Sequence, residues 1–153
     1  MAEWRILVTG ARMWSDVPLL TAALDEQAHD HDQVTLIHGR CDPRNAGGDR
    51  VPWEKAAADP TLGPFLGADW HAHWYAIARG WTVEAYAANW RLHGNFAGPI
   101  RNQRMVDLRP APGVLVAAPL GKSPGSRDCM ARARKAGIRV VDVTEPPKPE
   151  GLW

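Results

Sequence analysis

Five short apolar runs, each separated from the next by residues at helical spacing, predict an α/β domain. The expected form is a Rossmann-like three-layer fold with a mainly parallel sheet of about five strands. Two further observations support it. The first run, residues 4–9, is short and largely apolar, as suits a strand covered by helices on either side. Four of the runs also end in loops bearing glycine, proline or histidine. The 153 residues fit one domain.

The first run, residues 4–9 (WRILVT), ends at Gly10. Ser15-Asp16-Val17-Pro18 then reads as a helix start, a capping side chain followed by proline in the first turn. Leu19, Leu20, Ala23, Leu24 and Ala28 follow at helical spacing. Residues 34–38 (VTLIH) form the second strand, ending at Gly39. The pattern breaks over residues 40–66, which are rich in Gly, Pro, Asp and Arg; only residues 53–58 suit a helical turn or two. Periodicity resumes over 68–79, with Trp70, Trp74, Ile77 and Ala78 on one face, and Gly80 ends it. Residues 81–86 are the third strand. Pro99 is expected to open a helix running through Ile100, Met105 and Leu108. Residues 113–118 (GVLVAA) form the fourth strand, 126–136 a helix stopped by Gly137, and 138–143 the fifth strand. The domain therefore spans residues 1–143. Residues 144–153 form a proline-rich tail, mobile alone and expected to pack on the body or on a neighbouring subunit.

Composition removes several classes of function. Lys+Arg 18 against Asp+Glu 17 leaves a net charge of +1. That excludes binding driven by a global basic field and argues against a nucleic-acid partner, while leaving room for a local basic patch. The 45% hydrophobic content is that of a folded chain. The N-terminal residues lack the pattern of a signal peptide and no apolar run is long enough to span a membrane, so a cytoplasmic protein without membrane contact is expected. Cys41 and Cys129 are far apart with no CxxC, which suggests neither a zinc knuckle nor a disulfide framework. His29 and His31, and His71 and His73, lie two apart and so share no helical face; no metal or cofactor is expected. His38 and His93 fall at the loop edge of the sheet.

In parallel sheets ligands bind outside the carboxyl ends of the strands, so the chemistry is sought in those loops. Thr9-Gly10-Ala11-Arg12 would let the backbone approach a phosphate, with Arg12 adding a charge-assisted contact; one glycine alone is not the GxGxxG fingerprint. Gly121-Lys122-Ser123 invites a P-loop reading, which fails because Val116 occupies the position of the required earlier glycine. What remains, Gly121 and Gly125 before a helix near Ser126, is either a plain turn or an anion site at a helix N-terminus. Arg101 falls near the positive end of the helix from Pro99, an unfavourable place unless an anion sits beside it; a solvated face with Arg104 is the plain alternative. Asp69 either suits the dipole of its helix or accepts from a ribose hydroxyl. Of eight tryptophans, Trp4, Trp81, Trp70 and Trp74 are placed for packing. Trp53 belongs to residues 40–66 and Trp153 to the tail. Trp14 and Trp90 follow strands and sit where a base could stack.

The set RILVTGAR, LIHG, GAD, W..HG..AGPIRNQRMV and a glycine loop before a helix resembles the YspA/YpsA-related branch of the SLOG superfamily. The LOG phosphoribohydrolases and the DprA/SMF proteins are relatives in that superfamily. The match covers about residues 5–143 apart from 40–66, which looks like an insertion. The resemblance implies a Rossmann-like fold, a pocket for a nucleotide or nucleotide-sugar, a homo-oligomer, and a bacterial or phage source. Gly10 and Arg12 match the first family loop, His38 and Gly39 the second, and Gly67, Ala68 and Asp69 the third. Arg101 to Met105 has the spacing of the RKxxM element, with Arg101 on the catalytic arginine of the LOG enzymes. Cys129 falls where their catalytic glutamate belongs. Asp128 lies one position earlier, ~100° away around a helix, so it is not a simple replacement.

The leading expectation is a nucleotide-binding protein that senses, sequesters or processes its ligand. Gly10, Ala11, Arg12, Gly121, Gly125 and Ser126 would hold phosphate, with Arg101 balancing its charge. Asp69 would take ribose, Trp90 a base, and His38, Gly39, Gly98 and Asn102 would complete the walls. Residues 40–66 would act as a lid carrying Trp53 and Phe65. The alternative is a nucleoside 5′-monophosphate phosphoribohydrolase using Arg101, with Asp128 or Asp69 supplying the carboxylate. A third reading is single-stranded DNA binding of the DprA type, by stacking on tryptophans.

Overall fold

The structure is a computed structural model and describes residues 3–146. Five strands form one all-parallel sheet: β1 (Trp4–Gly10), β2 (Val34–His38), β3 (Thr82–Ala85), β4 (Val114–Ala118) and β5 (Arg139–Asp142), in the order β3-β2-β1-β4-β5. The chain builds outward from β1 to β2 and β3. It then returns to the other side of β1 for β4 and β5, so the switch in direction lies between β1 and β4.

Side chains alternate across β1 and β4 with the period of two that an extended backbone imposes. Ile6, Val8, Val114, Val116 and Ala118 enter one core with Leu20, Leu24 and Ala28 of α1 (Val17–Ala28) and Ala68, Ala72 and Ala76 of α3 (Ala68–Ala78). Leu7, Leu115 and Ala117 enter the other. There they meet Met105 and Val106 of α5 (Ala97–Val106) and Cys129, Met130 and Ala133 of α6 (Pro124–Lys135). These are the three layers expected. Asp16 caps α1, its Oδ1 accepting from Leu19 N at 3.1 Å.

Two elements begin earlier than the sequence pattern suggests. Trp90–His93 is a turn of helix, α4, capped by Asn89 and followed by a 3-10 turn at Gly94–Phe96. It leads directly into α5, so Pro99 is the third residue of that helix. A missing N–H costs nothing there, because the first four have no partner within the helix. Likewise Pro124 opens α6, ahead of Ser126.

Residues 40–66 form a small unit of their own. Arg44 and Leu66 exchange backbone hydrogen bonds of 3.0 and 2.7 Å, and Val51 N donates to Pro43 O at 3.0 Å. The helix α2 (Trp53–Ala58) places Trp53 against Trp70, with Val51, Ala56 and Phe65 around them. Trp53 and Phe65, expected on a lid, pack inward against α3 in a third core. The expectation that the C-terminal tail packs on the body falls mostly on residues 147–153, Trp153 included, outside the described residues.

Candidate functional site

A cavity of about 720 Å³ opens outside the carboxyl ends of β1 and β4, at the switch point of the sheet. The end of β1 and the loop after it supply Gly10, Ala11 and Arg12; the loop after β4 supplies Ser123, and the first turn of α6 supplies Gly125 and Ser126. Gly39 after β2, Asp69 of α3, Trp90 of α4, Gly98, Arg101 and Asn102 of α5, and Asp128 of α6 complete the lining. Thus twelve of the fourteen sequence-derived site residues line one space. His38 and Gly121 do not.

Gly10 is a glycine for a packing reason. A Cβ there would lie 2.3 Å from Ala68 Cβ and 2.9 Å from Ala118 O, so α3 and β4 close directly on it. Ala68 N donates to Ala11 O at 3.1 Å, which pins the start of α3 under the loop. Asp69 follows in the first turn of α3, 5% exposed, its Oδ2 accepting from Cys41 N at 3.1 Å. Burial, with Asp69 facing it, pushes the Cys41 thiol up to about 12, so it stays protonated.

Arg101 is held by its neighbours. Its Nη1 donates to Gly39 O, its Nε donates to Asn102 Oδ1 at 2.9 Å, and Nη2 stands 3.9 Å from Cys41 Sγ. The guanidinium lies across Gly39, where a Cβ would be 2.5 Å from Nη1. Asn102 is 2% exposed, and its Nδ2 donates to Gly125 O at 3.1 Å and to Asp128 Oδ2 at 3.0 Å. Asn102 was expected to touch ligand. Although it borders the cavity, its amide is committed to Arg101, α6 and Asp128, so it positions them.

Asp128 and Cys129 divide opposite to the simplest expectation. Cys129 is fully buried in the core under α6, its thiol pushed up to about 12 by that burial. Asp128 is the member of the pair that reaches the cavity. Its Oδ2 accepts from Asn102 Nδ2 and, at 2.9 Å, from Arg132 Nε; among the described residues Oδ1 has no partner.

At the start of α6 no side chain caps the helix. Pro124 has no N–H, and the N–H groups of Gly125 and Ser126 meet no acceptor among the described residues. Such groups at a helix N-terminus favour an anion. Trp90 is half exposed and its ring packs on Gly98, 3.4 Å from where a Cβ would be.

Three assignments are corrected. Gly121 does not line the cavity; its φ is +56° and its carbonyl accepts from Arg127 Nη2 at 2.8 Å, so it is a turn glycine. Trp14 is 3% exposed inside the first core, its Nε1 donating to Asp16 O, so it offers no surface for a base. His38 is fully buried: its Nδ1 accepts from Arg40 N at 2.9 Å and its Nε2 meets His73 Nδ1 at 3.0 Å. Both ring nitrogens are used internally. His93 ends α4 and does not line this cavity.

Burial holds His38 down at about 4, against the opposing pull of Asp69. The unfolded chain therefore takes up a proton near pH 6.5 that the folded protein refuses. Stability should fall between about pH 6.5 and pH 4, by about 3 kcal/mol. His71 and His73, also lowered by burial, act in the same direction. Urea unfolding at pH 7 and pH 4.5 should show this loss, and His38→Asn should lose clearly less. Equal losses in the two proteins would remove His38 as the source.

Sequence reasoning also missed part of the wall. Cys41, Met13, Asn95 and Leu120 line the cavity without any motif to announce them. The density of arginine between residues 40 and 50 was the one available signal for what lies beside it.

Fold and site together define an α/β protein with an all-parallel sheet and a large cavity at its switch point, bordered by both signs of charge. The chain is 31% identical over 144 residues to the Gene 61 protein of Mycobacterium phage D29, a match covering 94% of this chain and 98% of that one. It belongs to the family of that phage protein. No family model matches the chain, and no solved structure matches it.

Proposed function

We propose that the protein binds a nucleotide-derived ligand of SLOG type in the cavity between β1 and β4, to sense, sequester or process it. One observation carries the reading: the uncapped start of α6 and the guanidinium of Arg101 border the same space as Asp69 and the half-exposed Trp90. The N–H groups of Gly125 and Ser126 would take the phosphate, with Arg12 and Arg101 balancing its charge. Asp69 would accept from a ribose hydroxyl and Trp90 would stack on the base.

The orientation of Asp128 supports a second reading, nucleoside-monophosphate hydrolysis. Its free Oδ1 is the carboxylate oxygen that could stabilise an oxocarbenium-like centre. Single-stranded DNA binding gains no such support, since Trp90 is the one tryptophan lining the cavity among the described residues.

Incubation with AMP separates the two readings. Saturable binding without free adenine is the result expected of a binding protein. Release of adenine that disappears in Asp128→Asn would make the hydrolase the better reading. If neither AMP nor other common nucleotides bind, the nucleotide assignment fails.

A further inference from the structure

Beside the first cavity lies a second, of about 570 Å³, towards the carboxyl ends of β2 and β3. The two share Arg12, Gly39, Cys41, Trp90 and Arg101, so they form one groove along the sheet edge. Most of the remaining wall comes from residues 40–54, which interrupt the path from β2 to α3.

Five arginines line this chamber, Arg12, Arg40, Arg44, Arg50 and Arg101, against two carboxylates, Asp42 and Glu54. The local excess is three positive charges in a chain whose net charge is +1. Both carboxylates are already taken: Arg40 pairs with Glu54, and Arg50 Nε with Asp42 Oδ2 at 2.8 Å. Among the described residues Arg12, Arg44 and Arg101 have no carboxylate. Arg12 has no side-chain hydrogen bond there, and Arg44 makes only a long one, 3.4 Å to Gly48 O.

The backbone around them is tied in place. Arg40 sits in the left-handed region at φ +51°, held by the bond from its N–H to His38 Nδ1. Asp42 Oδ1 accepts from Trp53 N at 2.8 Å, which fixes the segment to α2. Gathering like charges in one chamber is unfavourable by itself, and an anion offsets it.

We propose that this chamber is an anion subsite for an extended phosphate chain, so that the ligand is a nucleoside polyphosphate rather than a monophosphate. The nucleoside part of this statement rests on the nucleotide reading of the first cavity; the phosphate part rests on the arginines of the second. Arg12 and Arg101 stand at the junction and serve both.

Titration calorimetry of the full chain with AMP, ATP and inorganic tripolyphosphate tests it, using the wild type and the double variant Arg44→Gln/Arg50→Gln. ATP should bind about tenfold tighter than AMP or better. The double variant should bring ATP down to the level of AMP and leave AMP unchanged; freeing Asp42 in the same chamber adds to the loss. Tripolyphosphate should bind the wild type and weaken about tenfold in the variant. If the double variant melts early, Arg50→Gln alone, whose side chain is 64% exposed, gives the same comparison at smaller amplitude. The subsite is overturned if ATP gains nothing over AMP, or if its advantage survives in the variants. Loss of nucleotide binding with tripolyphosphate still bound, and weakened in the variant, would leave the subsite standing and remove the nucleotide reading. If neither binds, both fall.

Discussion

Gly10→Ala should destabilise the protein by about 3 kcal/mol, the upper end for overpacking at a well-packed position. The added methyl would stand 2.3 Å from Ala68 Cβ and 2.9 Å from Ala118 O, and neither is the end of a flexible side chain. Relief requires the start of α3 to move. That would strain the bonds from Ala68 N to Ala11 O and from Gly67 N to Trp14 O, which hold that helix to the first loop. For a chain of this length the melting temperature should drop by about 6–12 °C. Gly125→Ala is the internal contrast. Nothing lies within 4 Å of a Cβ there, and the residue is helical, so stability should be unchanged or raised by up to about 1 kcal/mol. Urea unfolding of the two variants should show a loss at one glycine of the cavity and none at the other. A Gly10→Ala protein as stable as the wild type would show that the packing around β1 is wrong.

Arg101→Ala should remove the stabilisation that a bound nucleotide confers. At a ligand concentration of 100 times Kd the wild type gains about 2.7 kcal/mol, a rise of several degrees in melting temperature. The variant should show none of it. Its unliganded stability should fall by only about 1–2 kcal/mol, from the hydrogen bond lost at Gly39 O. Gly39→Ala provides an independent route to the same result. Its methyl would fall 2.5 Å from Arg101 Nη1 and 2.7 Å from Cζ, the mobile end of a side chain, so the guanidinium moves and the fold survives. Two variants on separate elements, one removing the arginine and one displacing it, should lose the same thermal shift. If Arg101→Ala keeps the shift, the ligand binds elsewhere.

Asn102 links these results to α6. Because its amide joins Arg101 Nε to Asp128 Oδ2 and Gly125 O, the arginine of one helix and the carboxylate of another share one buried support. The fold reaches this through two helices on the same face of the sheet, α5 and α6. The first loop is held separately, by α3 on the opposite face.

Much of the frame was legible in the chain itself. The five strands, the capping of α1 by Asp16 and the convergence of the β1 and β4 loops all follow from local pattern and from the rule for parallel sheets. The misplacements share one cause. Trp14, His38 and Gly121 each stand next to a strand end, but whether a side chain turns into the core or into the cavity depends on a partner distant in the chain or on a local backbone angle. His38 is claimed by His73, thirty-five residues away, and Trp14 by the core that α1 and α3 close. Asp128 and Cys129 show the same limit on a helix. A rotation of ~100° separates them, and only the position of β1 and β4 beneath α6 decides which one is buried.

By itself, the sequence determined the alternation of strand and helix, the parallel sheet and the strand ends at which a site would form. It could do so because apolar periodicity and turn chemistry are local. The tertiary structure alone decided that residues 40–66 pack a third core and wall an arginine-lined chamber. It also decided that Arg101 lies across Gly39 and that Asp128 rather than Cys129 faces the cavity. Those outcomes depend on contacts between segments far apart in the chain, which local periodicity does not encode.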